Sequence, residues 1–287
     1  MSTKTERENV DVYQIVTDRI VELLEKGTIP WQKPWVGGEF QAPKNLASGK
    51  SYRGVNVLLL GCSEFSSPYW VSYKQAQERG GQVRKGETSS LVTFWKMFEK
   101  VENGEKKIIP MLRYYRVFNV EQCENLEYPK EQREDNVFNP IQEAEKIVSS
   151  MPKLPTVTHS EQSAFYSRGE DRVNMPKKET FGKSEDYYSV LFHELTHSTG
   201  HQDRLGRLQN SFSKFGDANY AKEELIAEIG SSYLCNVAGI VDRTIDNSAS
   251  YIQAWIAKLK NDRKLIVGAS SKAQEAVEFI LNKNKGE

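Results

Sequence analysis

Residues 184–203 read SEDYYSVLFHELTHSTGHQD, and this stretch decides the second half of the chain. Val190, Leu191 and Leu195 recur at helical spacing, Ser184 is a good N-cap, and Glu185 and Asp186 suit the first turn. A helix is therefore predicted here, and it carries His193-Glu194-Leu195-Thr196-His197. Residues four apart share a helix face, so both imidazoles reach one metal ion, with Glu194 beside it as general base toward a water.

A catalytic zinc site usually has three protein ligands and one open position. Two candidates for the third stand downstream. Asp203 completes HExxHxxGxxD after a turn at Gly200, which resembles the metzincin plan. That plan also expects a methionine turn beyond the third ligand, whereas Met1, Met97, Met111, Met151 and Met175 all precede it. The other candidate is EELIAE (223–228), read as part of a second helix. It resembles the gluzincin arrangement, which implies Glu224 as ligand and Glu228, four positions on, as the carboxylate that orients a ligand histidine. Glu223 is expected to face another way. The assignment is one divalent metal on His193, His197 and Glu224, with Asp203 as the alternative third ligand. Two imidazoles and a carboxylate make zinc the default and manganese the alternative. His201 would lie ~12 Å along the helix from His193 and is read as a polar end-of-helix residue near Arg204. His159 is read as a surface loop residue. Tyr187, Tyr188 and Tyr220 are read as packing tyrosines with hydroxyls able to serve an oxyanion.

Elsewhere in this half, further helical patterns cover 140–151, 218–238 and 247–283, the last interrupted near Gly268, and a short extended stretch covers 164–176. In the first half, 10–26 is an amphipathic helix stopped by Gly27, and IPWQKPW (29–35) holds Trp31 and Trp35 on an extended segment. The apolar run in SYRGVNVLLLG (51–61) is too short to tell helix from strand. SSLVTFWKMFEK and IIPMLRYYRVFNV read as two strands around an Asn103-Gly104 turn. The second strand would place Met111, Arg113, Tyr115 and Val117 on one face and Leu112, Tyr114, Arg116 and Phe118 on the other. A polar, acidic stretch from 121 to 136 suggests a linker. The fold class is α+β in two domains: 1–125 an α+β domain, 126–138 a linker, and 139–287 a mainly α domain with a small sheet.

Composition bounds the function. The 287 residues are 38% hydrophobic and 27% charged, with no apolar run near the ~20 residues of a membrane helix. MSTKTERENV lacks the apolar core of a signal peptide, and Cys62, Cys123 and Cys235 form no CxxC pair, so a cytoplasmic protein without disulfides is expected. The formal net charge is zero, yet residues 26–120 hold 15 basic against 7 acidic side chains, and 121–287 hold 21 against 26. A basic half is a hint of polyanion binding. Single-strand binders join a basic groove to aromatic stacking platforms. The first half interleaves Tyr52 with Arg53, Tyr73 with Lys74, Trp95 with Lys96, and Tyr115 with Arg113 and Arg116, with Lys85 nearby.

With both halves read, the chain resembles the ArdC antirestriction proteins of conjugative plasmids. The resemblance rests on YRGVNVLLL (52–60), YWVSYKQAQERGGQVRKGE (69–87), VTFWK (92–96), YRVFNVEQ (115–122), DRVNMP (171–176), YYSVLFHELTHSTGHQDRLGR (187–207) and YAKEELIAEIG (220–230). It implies an N-terminal single-stranded-DNA-binding domain, a C-terminal zincin-like metallopeptidase domain of gluzincin type, and protection of incoming DNA from restriction. The partners expected are single-stranded DNA and a host restriction enzyme or other protein substrate, without a membrane. Two rival readings stand beside it: a single-stranded-DNA-binding protective module whose metal site is structural or vestigial, without hydrolysis, and a metallopeptidase with no DNA role.

Overall fold

Asp11 starts the first helix by accepting hydrogen bonds from the backbone N–H groups of Tyr13 and Gln14, and Gly27, at φ +78°, ends the turn that follows it. Between them runs α1 (Val12–Glu25), whose stripe of Val16, Ile20 and Leu24 is buried. The computed structural model describes residues 11–31, 42–102, 105–129, 139–208, 218–240 and 249–283. Trp35, the Asn103-Gly104 turn and residues 130–138 of the expected linker lie outside the described residues.

After β1 (Lys44–Asn45), the undecided apolar run is a helix, α2 (Val55–Gly61), buried along its whole length. Buried on every side, it shows no polar face to betray its period. Asn56 ties it to the sheet, its amide donating to the Thr93 carbonyl and its Oδ1 accepting from the Thr93 N–H, both at 2.7 Å. Next come β2 (Tyr69–Val71), α3 (Tyr73–Glu78) behind a Ser72/Gln75 capping box, and β3 (Gln82–Val83). The long hairpin is β4 (Ser90–Glu102) and β5 (Glu105–Asn119), in register from Ser90↔Val117 to Glu102↔Glu105. A four-stranded sheet has the order β1-β2-β5-β4, and β6 (Cys123–Glu124) pairs with β3.

The second half opens with α4 (Pro140–Ser150), followed by β7 (Thr156–Thr158), β8 (Phe165–Ser167) and β9 (Arg172–Asn174) in a three-stranded sheet of order β7-β9-β8. Then come α5 (Ser184–Ser198), α6 (Ala218–Val237), α7 (Ala249–Asn261) and α8 (Leu265–Ile280). Two details differ from expectation. Ser184 is the first helical residue; the N-cap is Lys183, which makes no side-chain capping bond. The break in the last helical region falls at 262–264, where Asp262 Oδ1 accepts from the Lys264 N–H, while Gly268 lies inside α8.

One hydrophobic core gathers residues of α4 to α8 together with α1, α2, Ile29 and Trp31. The apolar stripe of α1 thus buries with the second-half helices, although α1 lies within 1–125. Smaller cores sit at α3 (Val71, Ala76, Val83, Val120, Leu126) and at the four-stranded sheet (Leu60, Trp70, Val92, Val117). Among the described residues no helix is long and apolar enough to cross a membrane.

Candidate metal centre

Helices α5 and α6 approach closely because Gly230 presents no side chain to Thr196. A Cβ on Gly230 would stand 2.6 Å from Thr196 Cγ2. Ser231 Oγ donates to the Ser189 carbonyl at 2.8 Å, and Phe192, Leu195, Leu225 and Ile229 are fully buried, so both helices are fixed in rotation and separation. That packing sets α5's histidines against α6's carboxylates.

His193 Nε2 lies 3.1 Å from His197 Nε2, and Glu224 places Oε2 3.6 Å from the former and Oε1 3.7 Å from the latter. Among the described residues these three form the one group of histidine, cysteine and carboxylate side chains whose ligand atoms all lie within 4.8 Å. Two ligands each ~2.0–2.1 Å from an ion at a tetrahedral angle stand ~3.3–3.4 Å apart, so the donor set fits a small divalent ion. Glu194, on the same helix, is buried. Tyr220 lies one turn before Glu224, and its hydroxyl is hydrogen-bonded to that carboxylate; burial first, then the charge of Glu224, push its pKa up to about 12. Burial works against the Glu224 anion, but the two histidines outweigh it and hold the carboxyl below its ordinary range.

The other nitrogen of His197 meets a residue the sequence reading had turned away. Glu223 Oε1 stands 3.1 Å from His197 Nδ1. Neighbours on a helix diverge by ~100°, which lets Glu223 and Glu224 address opposite nitrogens of one ring. Arg207 donates to both Glu223 oxygens, Nε to Oε2 at 2.9 Å and Nη2 to Oε1 at 2.7 Å, and also to the Thr196 carbonyl at 2.5 Å and Thr199 Oγ1. One guanidinium thus ties the end of α5 to α6. The signal available in the sequence was the pair Glu223-Glu224 with an arginine shortly after the HExxH helix.

Glu228, expected to orient a ligand histidine, accepts from Trp31 Nε1 at 2.9 Å and from the Tyr251 hydroxyl, and burial raises its pKa. Asp203 stands outside the cluster: its side chain is 65% exposed, and Oδ2 lies 3.7 Å from His201 Nδ1. His201 lies beyond the end of α5, and its Nδ1 accepts from the Asp203 N–H. Arg204 donates to the Ser198 carbonyl and to Asp171. His159 is exposed, with Nε2 3.0 Å from the Tyr187 hydroxyl, and Tyr188 bonds Glu145 and Lys178.

The residues expected to meet DNA are spread over several surfaces. Tyr52 takes a hydrogen bond from Asn45 and packs on the sheet core, and Arg53 pairs with Glu278. Tyr73 and Lys74 are exposed at the start of α3, with Lys74 3.4 Å from Glu78, and Lys85 is exposed after β3. The hairpin register puts Lys96, Arg113 and Tyr115 on one face and Trp95 and Arg116 on the other, confirming the alternation expected for the second strand.

Residues 10–118 match the family model for the N-terminal domain of anti-restriction factor ArdC, and 142–272 match that for a zincin-like metallopeptidase. The crystal structure of the antirestriction ArdC protein from plasmid R388 in its metal-free form is 38% identical, with a TM-score of 0.75, over 94% of this chain and 97% of that one. The Mn(II)-bound structure of that protein gives the same identity and TM-score over 95% and 98%. Protein y4eC of Sinorhizobium fredii is 32% identical over 96% of this chain and 94% of its own length. A DNA primase TraC of Escherichia coli is 34% identical over 94% of this chain, which spans only 27% of that primase's length.

Proposed function

Since the chain belongs to the ArdC antirestriction family, with an ArdC N-terminal domain and a zincin-like domain, we propose that it protects incoming plasmid or mobile-element DNA from host restriction. In this reading the first half holds single-stranded DNA, and the second half carries a metal-dependent hydrolytic site of the peptidase kind acting on a protein. The observation that carries it is the convergence of His193, His197 and Glu224 from two helices, with Glu194 on the same helix as the histidines.

His193, His197 and Glu224 would hold one divalent metal, zinc by the chemistry of the donor set and manganese as the alternative. When bound, such an ion polarises a carbonyl and makes a water more acidic. The chain's own groups supply the rest. Glu194 accepts a proton from the attacking water at its carboxylate and passes it to the leaving amine. The Glu223 carboxylate holds the His197 Nδ1 proton, which keeps Nε2 aimed at the site. Tyr220, its hydroxyl protonated at neutral pH and hydrogen-bonded to Glu224, would hold that carboxylate in position at the site.

Glu194→Gln tests the reading, because it spares the three ligands and removes the base. Protection of unmodified DNA in a restriction-proficient recipient should fall to the level of the empty vector while metal content stays at one equivalent. Unchanged protection would replace hydrolysis by a binding role with a structural metal.

A further inference from the structure

From the β4–β5 hairpin we infer that a single strand of DNA lies along one of its faces only, with bases stacked on the Phe94–Tyr115 pair and on Phe98. This rests on the proposed DNA-binding role of the first half and places it.

The register defines the face. Val92↔Tyr115, Phe94↔Arg113, Lys96↔Met111 and Phe98↔Ile109 are opposed pairs, and opposed side chains in an antiparallel ladder project to the same side. On this side Phe94 and Tyr115 stack with ring centroids 4.4 Å apart and planes 12° from parallel, and Tyr115 is 59% exposed. A further platform, Phe98, stands four residues along the strand from Phe94, about 13 Å away. Lys96 Nζ and the Arg113 guanidinium lie 5.1 and 5.2 Å from the Phe98 centroid. By register, no carboxylate stands on this face between Ser90 and Phe98 or between Lys107 and Val117.

The reverse side is committed to packing at its base, while Trp95 and Met97 farther along it stay exposed beside Glu99. Leu91, Leu112 and Tyr114 pack against the main core, and Trp95 meets Tyr13 edge-on at 6.3 Å. Beyond Val92 and Val117, which are buried in the sheet core at its base, the first face sets the exposed Tyr115 and the partly exposed Phe94 and Phe98 among cations and without a carboxylate, the chemistry that takes unpaired bases and their phosphates. A duplex, whose bases are already stacked on each other, cannot use the platforms.

The test uses the full chain and a labelled oligothymidylate, followed by fluorescence anisotropy. Tyr115→Ala and Phe98→Ala should each weaken binding about tenfold or more, and Tyr115→Phe should retain it. Arg113→Ala should flatten the dependence of log K on log salt by about one phosphate's worth. Trp95→Ala and Arg116→Ala should bind within a factor of about two of the unaltered protein, and a duplex of equal length should bind more weakly. Circular dichroism checks that each variant is folded. If the unaltered chain binds but Tyr115→Ala and Phe98→Ala bind equally well, or Trp95→Ala loses as much as they do, this placement is wrong while the DNA-binding role survives. If the unaltered chain does not bind, both fall.

Discussion

Glu223 Oε1 stands 3.1 Å from His197 Nδ1, while Glu224 Oε1, from the next residue, stands 3.7 Å from Nε2 of the same ring. The imidazole is held between two consecutive carboxylates, one facing each of its nitrogens. Glu223→Gln keeps the shape and loses the charge. Its metal affinity should drop roughly 10- to 100-fold in competition with a chelating dye. An unchanged affinity would deny Glu223 its positioning role.

Arg207 is the second partner of Glu223, and both side chains are largely buried. Arg207→Met leaves that carboxylate with one cation and strips the Thr196 carbonyl of a donor. Loss of one partner of a buried pair costs about 3–5 kcal/mol, which urea unfolding of the chelated protein should register. Lys260→Met, which breaks an exposed pair with Glu25, should leave the curve where it is.

The same pair sets a pH dependence. Burial disfavours the His197 cation, but the hydrogen bond and charge of Glu223, with Glu194 and Glu224, outweigh it and hold the pKa above 6.5. Burial likewise opposes the Glu223 anion, but His197 and Arg207 hold that carboxyl below 4.5. The His197 contribution is complete below 6.5 and is lost as pH rises through the raised value; the Glu223 contribution is present above 4.5 and is lost as pH falls through the lowered one. In chelated protein the stabilisation from this pair should therefore peak between those limits and decline above pH 6.5. Metal affinity should climb over that upper range, because the ion displaces the Nε2 proton. Thermal melts and metal titrations across pH check both trends.

Gly230→Ala drives a methyl group into Thr196. The two helices that carry His193, His197 and Glu224 must separate, at a cost of about 1–3 kcal/mol, and metal affinity should fall with stability. Gly182→Ala, where a Cβ meets nothing within 4 Å, serves as the neutral comparison.

Much of this was legible in the sequence, for reasons that differ by element. The α5 helix and the hairpin show strong periods, 3.6 and 2, so their positions and the faces of β5 follow from spacing. His193 and His197 follow from one helical turn. Helix α2 did not, because an element buried on all sides has no polar face to mark its period. Glu223 was missed because the i, i+4 rule relates residues within a helix and says nothing of the angle at which α6 crosses α5. That angle turns Glu223 toward His197 and takes Glu228 to Trp31 and Tyr251. The shared core likewise depends on α1 finding the second-half helices, a contact far apart in sequence.

The proposed metal centre turns most on its third ligand. Metal content per chain, measured by inductively coupled plasma mass spectrometry on purified Glu224→Ala and Asp203→Ala proteins, tests it directly. Asp203→Ala should retain one equivalent and Glu224→Ala should lose it; full occupancy in Glu224→Ala with loss in Asp203→Ala would contradict the site described for this chain.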